Sequence, residues 1–153
     1  PFLPFLQAFC KRVSIDAQLL HREVSFDLNI PEQAKVKMNE ALITRVFENL
    51  VSNALRYTME GGKVHITAQL EHDPFNKATI VVKITDNGIG IDQEDLDRIF
   101  ELFYRGTNSR REAGMGIGLS VVKSIIDSHG WNISVFSNKQ VGSTFSITIP
   151  VFS

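Results

Sequence analysis

Residues 39–57, NEALITRVFENLVSNALRY, decide the fold class. Asn39 is a favourable N-cap residue, so the stretch predicts a helix from Glu40 to about Tyr57, followed by a turn at Gly61-Gly62. Apolar residues recur along it at helical spacing and should face a sheet. They are Ile43, Phe47, Leu50 and Ala54. We therefore expect an amphipathic helix that lies on a sheet.

The segments on either side of this helix predict that sheet and two further long helices. Alternating or β-branched runs predict strands at 24–30, 34–38, 64–70, 79–85, 131–137 and 143–151. Helical spacing predicts helices at 4–21 and 118–128, the second stopped by Gly130. Asp92 is expected to cap a short acidic helix through about Phe100. Hairpins mixed with helices indicate one mixed sheet covered on one face by helices.

Length and composition restrict the possible classes of protein. The 153 residues fit a single domain, 1–153, and the hydrophobic fraction of 43% is typical of a globular chain. A net charge of -1 gives no electrostatic reason to expect nucleic acid as a partner. The single cysteine, Cys10, excludes an internal disulfide and suits a reducing compartment. Since no apolar run approaches the roughly 20 residues of a membrane span, we expect no direct membrane contact.

Two asparagines inside the predicted helix call for an explanation. Asn49 and Asn53 are four residues apart beside the apolar stripe, with Arg56 and Tyr57 one turn further on. Asparagine is a mediocre helix former because its side chain competes for backbone hydrogen bonds. One interpretation is that an amide oxygen coordinates Mg²⁺, which prefers oxygen ligands and shares its shell with substrate phosphates. The alternative is that both side chains are solvated or cap a neighbouring loop.

A second candidate is Asp86, which follows the apolar run 80–84. A carboxylate at the end of a buried strand can accept a hydrogen bond from the exocyclic amine of adenine. Gly88 and Gly90 would allow close backbone approach or positive φ. The alternative is an ordinary Asp-Asn-Gly turn.

A third candidate is the glycine cluster at 114–119, GMGIGL, which opens the last predicted helix. Backbone N–H groups at a helix N-terminus favour an anion such as phosphate. The cluster is neither a Rossmann fingerprint nor a Walker loop, because Leu119 occupies the last glycine position and no Gly-Lys-Ser/Thr follows. The polar residues 106–113 before it predict a mobile loop, so the whole fits a phosphate lid.

The remaining chemistry-bearing residues are less specific. Phe100 and Phe103 have the spacing of core residues, and Arg105 beside them can reach a phosphate or stay solvated. The four histidines lack metal-ligand spacing, and we interpret all of them as structural or exposed. They are His21, His65, His72 and His129.

Taken in order, four stretches resemble the N, G1, F and G2 boxes in the catalytic and ATP-binding domain of bacterial sensor histidine kinases. They lie at 48–54, 86–90, 100–105 and 114–118, and the likeness runs from about Val24 to Pro150. The superfamily includes gyrase, mismatch-repair ATPases and heat-shock chaperones. The resemblance implies an α/β (α+β) two-layer sandwich: a mixed, mostly antiparallel sheet of about five strands under three helices. It also implies a mobile ATP lid within 87–117, whereas the N-terminal helix, assigned to 1–22, is predicted from helical spacing alone.

The resemblance also implies a site for ATP and Mg²⁺. Asn53 resembles the Mg²⁺ ligand, and Asn49 the first asparagine of the N box, so both are expected to serve catalysis. Arg56 stands where the family usually has a phosphate-binding lysine, Tyr57 resembles an aromatic that packs on adenine, and Asp86 the carboxylate that reads adenine. The full set of nucleotide-binding residues implied is Asn49, Asn53, Arg56, Tyr57, Asp86, Gly88, Gly90, Ile91, Tyr104, Arg105, Gly114, Met115, Gly116, Ile117, Gly118 and Leu119.

The expected activity is transfer of the ATP γ-phosphoryl group to a histidine outside this chain. The family's acceptor lies in a His-Glu/Asp sequence, and here His21 is followed by Arg22. A start at Pro1 without methionine suggests a piece of a longer protein. The implied partners are a histidine-bearing dimerisation domain of the same parent protein and a response regulator. The isolated domain is expected to be a monomer from the cytoplasmic portion of a membrane-bound receptor.

Two alternatives remain open from the sequence. One is that the chain hydrolyses ATP as gyrase-type relatives do, with a glutamate as the base for water. Asn49 stands at that position, and Glu48 points about 100° away around the helix. The other alternative is a non-enzymatic module that only binds nucleotide or docks a partner.

Overall fold

The computed structural model describes residues 1–19, 21–58, 61–91, 96, 98–100, 118–138 and 141–152. Within them the helices are α1 (Phe2–Leu19), α2 (Glu40–Tyr57) and α3 (Gly118–Ser128). The strands are β1 (Glu23–Asn29), β2 (Lys63–His72), β3 (Ala78–Asp86), β4 (Asn132–Asn138) and β5 (Gly142–Pro150).

The five strands form one mixed sheet in the order β1-β2-β3-β5-β4. β1 runs parallel to β2, and the remaining pairs are antiparallel. β3 therefore lies in the middle of the sheet, with Asp86 opposite Val64 of β2 on one side and Ser143 of β5 on the other. This architecture confirms the predicted α/β two-layer sandwich.

The core lies between the helices and one face of the sheet. The four apolar residues predicted on α2 are all buried, with at most 3% of their surface exposed. They meet the inward residues of the strands, among them Ile66, Ile84 and Ile147. Burying one such side chain stabilises the fold by about 1.5–3 kcal/mol. The opposite face of the sheet is polar, as the Thr85–Thr144 hydroxyl pair illustrates.

The helix boundaries follow local signals closely. The Asn39 side chain accepts a hydrogen bond from the Leu42 N–H at 3.1 Å, which is the predicted N-cap of α2. α3 covers the predicted 118–128, and Gly130 follows it with a φ of +70°, which permits the Trp131 N–H to reach the Ile126 carbonyl at 3.1 Å.

One predicted strand is wrong, and other predictions lie outside the described residues. At 34–38 the described residues form an isolated bridge, between Lys35 and Phe152, because no described segment pairs with 34–38 beyond that one residue. The acidic helix predicted at 92–100 lies mostly outside the described residues, and the loop at 106–113 lies wholly outside. In the part of the chain that is described, no helix combines the length and apolarity that a membrane span requires.

His129 joins the end of α3 to the start of α2. Its Nδ1 lies 2.8 Å from the Ile125 carbonyl oxygen, and its Nε2 accepts from the Asn39 N–H at 3.1 Å. These partners require the neutral tautomer with its proton on Nδ1. The imidazole also packs beside the Trp131 ring, with centroids 5.2 Å apart. Because its two ends are bonded to different helices, the ring sets how α3 lies along α2.

We expect His129→Ala to lower the free energy of unfolding by about 1 kcal/mol, since the hydrogen bond to the exposed Asn39 N–H is lost. Urea denaturation followed by far-UV circular dichroism measures this. His72→Ala, at an exposed position on β2, is the matched control. Equal stability of the two variants would contradict the role of His129.

Candidate functional site

Asp86 is a buried carboxylate at the carboxyl end of the central strand, with 8% of its surface exposed. Its Oδ1 accepts a hydrogen bond from the Gly88 N–H at 2.9 Å, and the Ser143 N–H also bonds to the carboxylate. Burial raises the pKa of Asp86 above its ordinary value, and the two N–H donors act in the opposite direction. A carboxylate offers about four lone-pair positions, so it can still accept from a donor outside the chain.

The loop after Asp86 is braced at both ends. At its start, Asn87 exchanges two hydrogen bonds with the Lys63 backbone, of 2.8 Å through its side chain and 3.2 Å through its N–H. At its end, the Ile91 N–H donates to the Ser137 hydroxyl at 2.7 Å. Between them Gly90 adopts a φ of +75°, a conformation that favours glycine. The loop therefore holds its backbone in a defined position next to the carboxylate.

Gly142 allows β5 to start directly against Asp86. Its φ is +139°, and a Cβ at this position would overlap the carbonyl oxygen of Asp86. Neither Gly142 nor the two serines, Ser137 and Ser143, was predicted from the sequence as part of the site. The only local signal was a hairpin turn near 138–142, which carries no information about what the hairpin touches.

The two asparagines lie half-buried on α2, one helical turn apart, and Arg56 is exposed near the end of that helix. Tyr57 is the last residue of α2. Glu48 is directed elsewhere, since its carboxylate lies 3.4 Å from the Arg12 guanidinium of α1 and both side chains are more than half exposed. An exposed pair of this kind contributes little stability, but it indicates that Glu48 faces α1.

The carboxyl ends of α2 and β3 lie at the same end of the molecule. Thr58 follows α2, and Lys63 begins β2 five residues later. Lys63 bonds to Asn87 and precedes Val64, the partner of Asp86. The short connection therefore brings the Asp86 end of the sheet close to the end of α2 that carries the polar side chains.

The last turn of α3 is held at the N-cap of α2 by His129, and the two helices pack against each other. At about 1.5 Å per residue, the 11 residues of α3 put its first residue, Gly118, about 15 Å from that end. The N–H groups of the first turn of α3 form the positive end of its helix dipole.

Not every predicted site residue is described. Six lie outside the described residues: Tyr104, Arg105, Gly114, Met115, Gly116 and Ile117. Gly118 is the exposed first residue of α3, while Ile91 and Leu119 are half-buried and pack on the core. Phe100 packs edge-to-face on Phe145 with ring centroids 6.3 Å apart, as its core interpretation predicted.

The donor set restricts how a metal ion could bind. Among the described residues, no group of three or more His, Cys, Asp or Glu side chains is close enough to hold one. A cation at this site would take an amide oxygen from Asn53 or Asn49 and find its remaining ligands on water or a bound phosphate. Mg²⁺ commonly binds in this way, so the residues present fit it.

Residues 38–153 match a family described as histidine kinase-, DNA gyrase B-, and HSP90-like ATPase. The chain belongs to this ATPase family. The matched segment includes α2, β3, α3 and the β4–β5 hairpin, the elements that build the site above.

Similar curated proteins are sensor kinases. The chain is 37% identical over 128 residues to sensor protein EvgS of Escherichia coli K12, which covers 84% of this chain and 11% of EvgS. It is 35% identical to the sensor-like histidine kinase SenX3 of Mycobacterium tuberculosis H37Rv and 32% identical to the sensor histidine kinase WalK of Bacillus subtilis. Those matches cover 84% of this chain, but only 30% of SenX3 and 21% of WalK. The chain is thus an ATPase domain of the sensor histidine kinase type and spans a third or less of these relatives.

Solved structures support the same fold. The mycobacterial sensor histidine kinase MprB aligns with a TM-score of 0.79 at 23% identity, covering 98% of this chain and 94% of that one. Full-length ShkA in complex with AMPPNP aligns with a TM-score of 0.81 at 22% identity, covering all of this chain and 30% of that one. At these identities the likeness establishes the architecture.

Proposed function

We propose that this chain binds ATP with Mg²⁺ and positions the γ-phosphoryl group for transfer to a histidine on a separate dimerisation domain of the same parent protein. A response regulator would then receive the phosphoryl group. The observation that carries the proposal is the buried Asp86 carboxylate, held by two backbone N–H groups with acceptor capacity left over. A buried polar site of this kind, close to the end of α2 that carries two amides, suits an adenine nucleotide.

The candidate site residues that the structure describes each have a role in this proposal. Asp86 accepts from the exocyclic amine of adenine, and the loop 88–91 lets the ring approach the backbone. The Asn53 amide oxygen would ligate Mg²⁺, with Asn49 beside it, while Arg56 and the α3 N-terminus would contact phosphate oxygens. When bound, Mg²⁺ neutralises charge that develops on the phosphates during transfer. The predicted roles of Tyr57, Tyr104, Arg105 and residues 114–117 belong to the same proposal.

The geometry favours an acceptor outside the chain. His129 has both ring nitrogens bonded, His65 Nδ1 lies 2.6 Å from the Ser25 hydroxyl, and His21 occupies a tight turn with φ of +58°. His72 is on β2 towards the end opposite Asp86. In the proposed step, a histidine nitrogen of the partner domain forms a bond to the γ-phosphorus as the β–γ bridging bond breaks, and ADP leaves.

Water is a poorer acceptor at this site. The Asn49 amide cannot take a proton from water at neutral pH, and Glu48 is directed towards Arg12 on α1. The chain can still be catalytic without its own nucleophile, because phosphoryl transfer depends mainly on positioning and charge neutralisation. We place the domain on the cytoplasmic side of a membrane-linked receptor, as a monomer when isolated, with no contact to nucleic acid or to the membrane.

The decisive experiment uses γ-³²P-ATP and Mg²⁺. The chain alone should bind nucleotide but not label itself, and addition of the parent protein's dimerisation domain should yield an acid-labile phosphohistidine on that domain. Stable label on any of the chain's own histidines, or absence of nucleotide binding, would contradict the proposal.

Asn53→Ala is expected to weaken Mg²⁺-dependent ATP binding by about tenfold, because the metal loses its amide oxygen. Calorimetric titrations with Mg²⁺ and with EDTA measure this. Without the metal, the variant and wild type should bind ATP alike. Ser52→Ala, exposed one residue earlier, is the control. An equal loss in both buffers would indicate that Asn53 does not act through the metal.

A further inference from the structure

Ser137 is a buried hydroxyl on β4, with 2% of its surface exposed. Its Oγ lies within hydrogen-bond distance of three groups of the described residues: the Ile91 N–H at 2.7 Å, the Gly142 carbonyl oxygen at 3.1 Å and the Ser143 hydroxyl at 2.9 Å. These partners belong to two different parts of the chain, the loop after Asp86 and the start of β5. The hydroxyl thus connects segments more than 40 residues apart in sequence.

One proton arrangement satisfies these three contacts at once. Ser137 donates to the Gly142 carbonyl, which can only accept, and its own oxygen accepts from the Ile91 N–H. The Ser143 hydroxyl then donates to the second lone pair of Ser137. A hydroxyl has one donor and two acceptor positions, so a single orientation of Ser137 can serve all three contacts. A methyl group at residue 137 would break all three contacts together.

The hydroxyl is linked to the carboxylate through one residue. Ser143, whose side chain bonds to Ser137, donates its backbone N–H to Asp86. Gly142, whose carbonyl accepts from Ser137, is the residue that packs against the Asp86 backbone. The Ile91 N–H meanwhile holds the far end of the loop that begins at Asp86. Ser137 therefore bonds to the groups that bracket the carboxylate on both sides.

We infer that Ser137 is a positioning residue for the adenine end of the nucleotide site, an inference that rests on the proposed function. Its hydroxyl holds the loop 87–91 at a set distance from β5, so that Asp86 and the loop backbone are in place before nucleotide arrives. Removal of the hydroxyl should therefore weaken binding of the adenine base. The factor by which affinity falls should not depend on the number of phosphates in the nucleotide.

The test compares wild type, Ser137→Ala and Ser137→Thr by calorimetry with Mg²⁺-ATP and Mg²⁺-ADP. We expect Ser137→Ala to bind both nucleotides about tenfold more weakly than wild type, because one pre-formed set of hydrogen bonds is missing. The factor should be the same for ATP and ADP. Ser137→Thr, which keeps the hydroxyl, should recover most of that loss. Ile133→Val, on the buried face of the same strand, controls for a general weakening of β4. A loss confined to ATP, or equal losses in Ser137→Ala and Ile133→Val, would overturn the inference.

Amide hydrogen exchange of the nucleotide-free protein gives a readout that does not depend on ATP. The Ile91 amide should exchange faster in Ser137→Ala than in wild type, and the Ile133→Val control should leave it unchanged. If wild type fails to bind nucleotide, the proposed function fails, and the exchange rates still report whether Ser137 holds the loop. If wild type binds and Ser137→Ala binds equally well, only the present inference fails.

Discussion

Asp86→Asn is expected to weaken ATP binding by about a hundredfold. The carboxylate accepts from the Gly88 and Ser143 N–H groups and has capacity for a third donor, whereas an amide has one oxygen and presents an NH₂ group at the other position. Either a backbone N–H or the adenine amine then faces a donor. Losing one hydrogen bond to a charged acceptor costs about 1.5–3 kcal/mol, or roughly one to two powers of ten in affinity. Calorimetry with Mg²⁺-ATP measures the effect.

Asp27→Asn, at an exposed position on β1, removes the same charge away from the site and should bind ATP like wild type. If it weakened binding as strongly as Asp86→Asn, net charge would be the cause, and Asp86 would have no specific role. Unchanged affinity in Asp86→Asn would remove the main support for an adenine nucleotide as ligand.

The Asp86→Asn variant also has an expected signature in the pH dependence of stability. Burial raises the pKa of Asp86 above its ordinary value of 3.8. The stability contributed by the protonated carboxyl is thus fully present below about pH 3.8 and is lost as the pH rises through the raised pKa. Relative to wild type, the Asn variant should gain stability between pH 4 and pH 7, as urea denaturation at both values would measure. If the difference in free energy of unfolding between Asp86→Asn and wild type were the same at both pH values, or changed in the opposite direction, a raised pKa of Asp86 would be contradicted.

Gly142→Ala is expected to have the largest effect on stability, about 3 kcal/mol or more. The residue combines a φ of +139° with a Cβ position that the Asp86 carbonyl already occupies, and a backbone carbonyl cannot move without displacing β3. Since the displaced residue is Asp86, nucleotide affinity should fall together with the free energy of unfolding. Thermal and urea unfolding, followed by calorimetry on the folded fraction, measure both.

Gly61→Ala is the matched control for this substitution. Gly61 also has a positive φ, of +83°, but no atom lies within 4 Å of its Cβ position. It should therefore show only the backbone penalty, about 1 kcal/mol. Equal losses in the two variants would indicate that the close approach of Gly142 to Asp86 has no cost of its own.

Local patterns predicted most of the fold because they reflect interactions over a few residues. The N-cap at Asn39, the apolar stripe of α2 and the glycine at 130 each act within one or two turns, and each is found where the sequence predicts it. Strand pairing was less certain. Segment 34–38 has strand-like composition, yet it forms a single bridge because a strand needs a partner that runs alongside.

The candidate site also contains residues that the sequence indicated and residues that only the folded structure revealed. Asp86 and the two asparagines were candidates from residue type and position, with an ordinary turn and solvated amides as alternatives, and the resemblance to the kinase boxes was what favoured them as site residues. Gly142, Ser143 and Ser137 were not, because their importance comes from what β5 and β4 touch. His129 was interpreted only as structural or exposed, without its partner on α2.

The sequence by itself determined the three long helices, the five strands of the sheet, the side of α2 that is buried, and a family pattern that predicts an adenine nucleotide as ligand. Only the tertiary structure decided that the hairpin of β4 and β5 supports Asp86, that His129 aligns α3 with α2, and that Glu48 faces α1. The physical reason is range: periodicity and capping depend on neighbours in sequence, whereas hydrogen bonds such as that between Ile91 and Ser137 join residues that only folding brings together.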